Sequence, residues 1–526
     1  MKKYKISFIL ISIICLASCK EDFLDRPSVN NPTLDTYYVN AQEVNAATGY
    51  LYNSVWYDYS DKAFHSIGEA LSGNMLTETG VNYDGGSFNN FTVLSTDGMV
   101  SSTWRSLYKV AGTSTVLLKT FEQKKASVAD GAYLDLGIAE SRFMRGVAYF
   151  YLARIFKDVP IVEDPVALAG SGDYNIPRYL QADVLRFVLE DLQYAKDNLP
   201  AAPYAPGRAS SYSAAGMMAK VYLYMKDYAN AKKEASEVMA SGKYDLYPDY
   251  EKMFTSSAAN NNVESLFALQ WIAGGGYGYA NAVNAYAAPS TLLKPGFGTG
   301  YSSVYPTIDV LNSYAPQDKR RQWSNMEQGF TRKDWTNSNF PDGFKYDTTG
   351  TQYETVTTLR NGSRANSLKY VVGPGSNGEP LSPNGSSSIC TYMLRYADVL
   401  LIYAESVLAE GASTSDASAL AAFNKVHNRN HNFNDVPVTA LTPDVILKER
   451  RAEFAYEGDY WFDIQRQGFT KAKAIIEKQD RGSYSGTGVN HLYAHLTSES
   501  QLFLPIPQAE TVSDPQLLQE AVPYYK

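Results

Sequence analysis

Several groups of residues in this 526-residue chain are of types that do chemistry. The stretch 448–468, KERRAEFAYEGDYWFDIQRQG, gathers Glu449, Arg450, Arg451, Glu453, Glu457, Asp459, Asp463 and Arg466. Two carboxylates of that set could serve as general acid and base if one had a raised pKa. Arginine beside glutamate works the other way and holds the carboxylate ionised, so the stretch reads as a helix laced by local ion pairs. Four of the five histidines form i,i+4 pairs, His427 with His431 and His491 with His495. That spacing suits zinc on one helix face, but neither pair encloses the glutamate of a zinc-protease motif, and no metal site is expected. Gly-Pro-Gly-Ser-Asn-Gly at 373–378 formally matches a dinucleotide-loop pattern, yet Glu379-Pro380 follows instead of a helix, so it reads as a turn. Cys390 has no nearby histidine and reads as a small core residue.

Aromatic residues in glycine- and asparagine-rich loops give the better chemical signal. A sugar ring offers an apolar face of C–H bonds and an edge of hydroxyls, so its site needs flat aromatic platforms bordered by polar side chains. LQWIAGGGYGYANAVN (269–284) supplies Trp271, Tyr277 and Tyr279 beside Asn281 and Asn284. RRQWSNMEQGFTRKDWTNSNF (320–340) supplies Trp323 and Trp335, and TETGVNYDGGSFNNF (77–91) supplies Tyr83 with Asn89 and Asn90. Trp56, Trp104 and Trp461 lie on helical stripes and are assigned to the core, where large aromatics commonly lie.

The elements that must carry these loops are mostly helical. Asp35–Trp56, Ser102–Glu122 and Leu136–Phe156 show apolar spacings of three to five. Two helical hairpins follow, at SYSAAGMMAKVYLYMKDYANAKKEASEVMASGKYDL and at RYADVLLIYAESVLAEGASTSDASALAAFNKVHNRN, with Gly411 after a helix and Ser415 or Asp416 able to cap the next. Recurring antiparallel pairs suggest tetratricopeptide-like stacking, here separated by long insertions. From about 271 to 390 the helical period is lost, and long loops with short strands such as ESLFALQWI and SLKYVV are expected. Length alone suggests about three domains; composition does not force that split.

The N-terminus sets the compartment. Lys2, Lys3 and Lys5 precede an apolar run from Ile6 to Leu16, too short to span a bilayer, and then small residues up to Cys19. Leu16-Ala17-Ser18-Cys19 resembles a bacterial lipobox, which would cut the chain before Cys19 and acylate its sulfur. Residues 1–18 are then a signal peptide, 19–34 a lipidated tether and 35–526 the folded body. Loss of the three lysines makes the net charge of −8 still more negative. With no basic run, nucleic acid is not an expected partner. Cys390 would be the one cysteine left besides the lipidated one, so no intrachain disulfide can form.

Six segments in this order resemble the SusD/RagB family of outer-membrane nutrient-binding lipoproteins: KEDFLDRPS, AESRFMRGVAYFYLARIFKDVPIV, GRASSYSAAGMMAKVYLYM, YMLRYADVLLIYAESVLAEG, ILKERRAEFAYEGDYWFDIQRQG and FLPIPQAETVSDPQLLQ. The stretches 57–100 and 271–345 resemble it least. Lys157 stands where the family usually has glycine, His427 where it has arginine, and Glu520 where asparagine commonly follows Gln519. The resemblance implies a single, mostly α body of tetratricopeptide-like hairpins packed against a SusC-type TonB-dependent transporter. It implies an oligosaccharide or polysaccharide ligand held on loops, no catalysis and no cofactor. It also implies a lipid-anchored outer-membrane location, with Glu21-Asp22 resembling a surface-export signal. Peptide or another nutrient as cargo, a lid without its own ligand, and a surface glycoside hydrolase using carboxylates such as Asp84, Glu327, Asp334 or Asp342 are the alternative readings.

Overall fold

Small residues on facing helices set how closely this chain packs. A Cβ on Gly137 would lie 2.4 Å from Val44 and 2.8 Å from Phe121, so three helices meet there at a distance only glycine permits. The computed structural model describes residues 37–525 apart from 81–82, 276–277, 290–291, 294–299, 349–361, 375–380, 383 and 486–487. Cys19, the tether, Tyr277 and most of the 373–378 turn lie outside the described residues.

Among the described residues the helices of nine or more residues are α1 (Ala41–Gly49), α2 (Gly98–Ser127), α3 (Ala132–Phe156), α4 (Gln181–Asn198), α5 (Ser211–Tyr224), α6 (Tyr228–Ala240), α7 (Tyr396–Leu408), α8 (Ala417–His427) and α9 (Pro443–Phe454). From α2 to α8 each packs on the next in the row, and α7 lies against α6 although about 150 residues separate them in sequence. This is the stacked-hairpin fold expected from the sequence, mostly α with few short strands. Local chemistry fixes the helix starts. Ser210 and Ser213 form a reciprocal capping box before α5, Asp227 caps α6, Asp416 accepts from Ala419 N at 3.0 Å to start α8, and Thr442 with Pro443 starts α9. The 35–56 stripe is helical only to Gly49 and continues as short 3₁₀ turns to Trp56. Trp56, Trp104 and Trp461 are in the core, as expected.

The middle segment leaves the helical row and returns to it through one strand pair. Ser265–Leu269 runs antiparallel to Thr391–Arg395, pairing Leu269 with Thr391, so the ends of the 271–390 segment are joined at its base. A second pair, Met75–Thr77 with Val304–Pro306, ties this segment to the 75–91 loop. SLKYVV is a strand only in its first residue, through the pair Asn325–Met326 with Asn366–Ser367.

The charged stretch 448–468 does make ion pairs, but not along its own helix. Glu453 accepts from Arg395 at 2.8 Å, Arg429 at 2.6 Å and Arg320 at 3.1 Å. Glu457 takes the other side of Arg395 and also Lys369. Asp459 binds Arg154 and Lys220, and Arg450 binds Asp463 and Asp398. Arg466 with Asp463 is one pair at local spacing. The expectation of local pairing is therefore corrected for Glu453, Glu457 and Asp459, whose cations come from distant elements, while Asp463 is paired within the stretch by Arg450 and Arg466; most of these groups are buried, and each buried carboxylate needs such a partner. Burial alone would raise the Glu453 pKa, but Arg429, Arg395 and Arg320 hold it well below the usual carboxylate range.

Candidate functional site

The loop aromatics divide into two groups. Residues 59–70 carry two π-helical turns, Tyr59–Ala63 and Ser66–Ala70, a rare conformation that adds a residue to a helical turn and is frequent at functional sites. Around them two groups of rings, Tyr83 with Tyr286 and Tyr301, and Tyr57 with Trp271, are joined through the Asp61 carboxylate. Tyr286 meets Tyr83 edge-on at 5.2 Å and lies tilted by 35° against Tyr301 at 5.9 Å. Tyr57 meets Trp271 edge-on at 6.3 Å. Lys62 Nζ sits 5.5 Å from the Tyr286 ring centroid and 6.0 Å from that of Tyr83. The Tyr83 hydroxyl donates to the Lys62 carbonyl at 2.5 Å. Asp61 accepts from the Tyr57 hydroxyl at 3.3 Å and from Tyr286, and burial raises its pKa to about 6 despite Lys62 beside it. Ser303, two residues beyond Tyr301, donates to Glu78 at 3.0 Å.

Within this cluster the expected site residues take different places. Trp271 and Tyr83 are buried, with Trp271 Nε1 donating to Thr391 at 2.9 Å. Both are enclosed, Tyr83 against Tyr286 and Trp271 against Tyr57, and show no open ring face. Tyr279, on the same loop as Trp271, is 47% exposed, and Ile272 beside it is 60% exposed. Its carbonyl accepts from Ile272 N at 2.9 Å, which folds the glycine-rich loop back on itself. Tyr301 is half-buried. Asn281 and Asn284, expected to border a ligand, are buried and bond backbone groups at Ile389, Gly385 and Val372. Asn89 likewise bonds the backbone of Thr77 through both ends of its amide.

The second group lies elsewhere. Trp335 is completely buried among Phe330 and Phe344, with the Arg332 guanidinium 5.0 Å from its ring and Gly373 packed against it. Two phenylalanines, the Arg332 side chain and the Gly373 backbone enclose the ring and leave no room for a sugar, so Trp335 is a core residue of the middle segment. Trp323 is half-buried and tilted against Tyr250 at 5.9 Å. Sequence reasoning missed Tyr57, Asp61, Lys62, Tyr286 and Tyr301. Their signal was present in another form, since the stretches 57–100 and 271–345 are those least like the family wording.

The remaining chemistry is occupied. Glu327 is held by Arg321 through two bonds of 2.8 and 2.9 Å. Burial would raise the Asp334 pKa, but Arg332 outweighs it and keeps the pKa below the ordinary value, the opposite of what a general acid needs. Asp84 and Asp342 are exposed. His427 bonds Glu449 at 2.7 Å, His431 bonds Asp435, and His491 bonds Asp480. Among the described residues no group of three His, Cys, Asp or Glu is placed to hold a metal ion. Cys390 is buried and burial pushes its thiol up to about 11, so it is packing rather than nucleophile. Among the described residues no helix is long and apolar enough to cross a membrane.

Comparison with known proteins gives this architecture a context. Residues 263–525 match the model of the SusD family, and residues 22–223 match a family described as starch-binding and associating with outer membrane. A SusD-like protein of Bacteroides ovatus is 30% identical over 571 residues, covering 99% of this chain and 98% of its own. A SusD-like protein P2 of Formosa agariphila is 28% identical over 496 residues, covering 89% of this chain and 91% of its own. A crystal structure determined with xylogluco-oligosaccharide superposes with a TM-score of 0.78 at 28% identity, covering 92% of this chain and 99% of that one. A SusD-like carbohydrate-binding protein from Bacteroides fragilis shares the fold at a TM-score of 0.75 and 21% identity, over 90% of this chain and 98% of its own.

Proposed function

Because this chain belongs to the SusD family, we propose that it is a glycan-binding lipoprotein of the cell surface that captures an oligosaccharide without cleaving it. The ligand lies on the aromatic face of Tyr279 and Tyr301, with Tyr286 as the brace beneath. The observation that carries this reading is the cluster itself: five rings held by Lys62 and Asp61, of which Tyr301 reaches the surface, while Tyr279 is exposed on the loop that carries Trp271. A rigid flat platform costs little conformational entropy when a sugar ring stacks on it, and the tyrosine hydroxyls and Lys62 offer hydrogen bonds at its rim. The relative crystallised with xylogluco-oligosaccharide supports a glycan as the ligand class.

In this account Cys19 carries lipid, residues 19–34 tether the body to the outer membrane, and a SusC-type TonB-dependent transporter receives the glycan. The family description of the N-terminal match supports the membrane association. Two assays test the reading together. Calorimetric titration with a panel of plant-wall and storage oligosaccharides is expected to give one saturable class, and incubation with that glycan is expected to release no new reducing ends. Turnover would make the protein an enzyme, and saturable binding of peptides alone would replace the ligand class.

A further inference from the structure

Away from the tyrosine cluster, a cleft of about 610 Å³ opens between the Arg320–Ser324 helix, the 363–364 turn and the Ser483–Ser485 strand. Its two cations are in different states. Arg321 is neutralised by the bidentate pair with Glu327. Arg364 is exposed, and among the described residues no carboxylate pairs with it; its guanidinium lies 5.4 Å from the ring centroid of Tyr484, which is 39% exposed. Ser363, next to it on the cleft wall, is only 3% exposed, and its hydroxyl is buried without a hydrogen-bond partner among the described residues. The Gln322 amide on the opposite wall is exposed.

An arginine held on an aromatic ring is already oriented for an anion. Tyr484, Arg364 and Gln322 together offer a recognition surface: an exposed ring, a guanidinium with no carboxylate partner among the described residues, and an amide. We propose that this cleft is a second saccharide site, one that takes a sugar unit bearing a single acidic substituent, a carboxylate or a sulfate. The ring packs at Tyr484, the acidic group pairs with Arg364, and the exposed Gln322 amide bonds a neighbouring hydroxyl. One acidic group is the match, since among the described residues the cleft has one guanidinium without a carboxylate partner, and the whole chain carries a net charge of −8, which repels a dense polyanion.

This inference rests on the glycan-binding reading, and the test separates the two. The full chain is titrated with a xylo-oligosaccharide carrying one glucuronate, with its carboxyl-reduced neutral counterpart, and with a singly sulfated galactan disaccharide. At least one acidic probe is expected to bind five-fold or more tighter than the neutral one. That preference is expected to disappear in Arg364→Asn and in Tyr484→Ala, and to persist in Tyr301→Ala. Asparagine is chosen because position 364 has a φ of +57°, which asparagine tolerates, so the fold is kept while the charge is lost. Equal binding of acidic and neutral probes, no binding of either acidic probe, or an acidic preference unchanged in Arg364→Asn at matched melting temperature would each overturn the proposal. Loss of acidic binding in Tyr301→Ala alone would overturn it too, assigning that ligand to the tyrosine face.

Discussion

Tyr301 leans on Tyr286 with ring centroids 5.9 Å apart, and Tyr286 is almost wholly buried while Tyr301 is half-open to solvent. The pair is a platform with its support. The buried ring fixes the plane of the outer one, so in the proposed glycan-binding reading Tyr301 and Tyr279 are the contacts, while Tyr286, Tyr83 and Trp271 serve stability.

The contrast with Trp335 gives a first prediction. Trp335 is enclosed by Phe330, Phe344 and Gly373, so Trp335→Ala leaves a cavity and is expected to cost about 3–5 kcal/mol of stability. Glycan affinity of the folded protein is expected to stay at the wild-type value. Denaturant unfolding and a titration below the lowered melting temperature measure the two separately.

Glu453 is the hub of three arginines, and Glu453→Gln leaves buried guanidinium groups without their counter-charge. A loss of about 3–5 kcal/mol is expected, as for other broken buried ion pairs. Its pKa is held below the unfolded value, so its contribution is complete above about pH 4.5 and is lost as pH falls below that. Unfolding at pH 7 and pH 3.5 reads both effects; an unchanged midpoint at pH 7 would show that the network contributes nothing.

Glu69 predicts the opposite pH trend. It accepts from Gly458 N at 2.6 Å and from Asn74 at 2.9 Å, yet burial raises its pKa to about 7. A carboxylate with a raised folded pKa is disfavoured in its charged form, so the fold loses stability as pH rises from about 4.5 to about 7. The melting-temperature difference between Glu69→Gln and wild type is therefore expected to move in favour of the variant from pH 5 to pH 8. A constant difference would rule out the titration.

Lys157 ends α3 with a φ of +67°, in the left-handed region that glycine enters without steric cost. The resemblance places glycine at this position, and the conformation explains why. Lys157→Gly is expected to raise stability by up to about 1 kcal/mol, after the entropy that glycine adds to the unfolded chain. A destabilised variant would show that the Lys157 contact with Phe503 outweighs backbone strain.

The helical frame was legible because its information is local. The small residues of SYSAAGMMAK and the Asp416 cap act within four positions, and they placed α5 and α8. The ion pairs were misassigned because their partners are remote: Arg395 reaches Glu453 across 58 positions and Glu264 across 131. The site was legible only in part. Tryptophan in a loop looks like a platform, but its area also makes it the best filler beneath a loop, and Trp335 and Trp271 took that role. Tyr286 and Tyr301 gave no such signal, since an ordinary tyrosine becomes a platform only when Tyr83, Lys62 and Asp61 arrive from a segment about 200 residues earlier.

The central claim is that an oligosaccharide stacks on the outer tyrosines of this cluster. Its most direct test is calorimetric titration of the best-binding oligosaccharide into wild type and into the Tyr279→Ala/Tyr301→Ala double variant, at equal melting temperature. The account predicts one saturable site in wild type and an affinity at least about 10-fold lower in the double variant, the scale of losing central aromatic contacts. Equal affinity of the two proteins would contradict it.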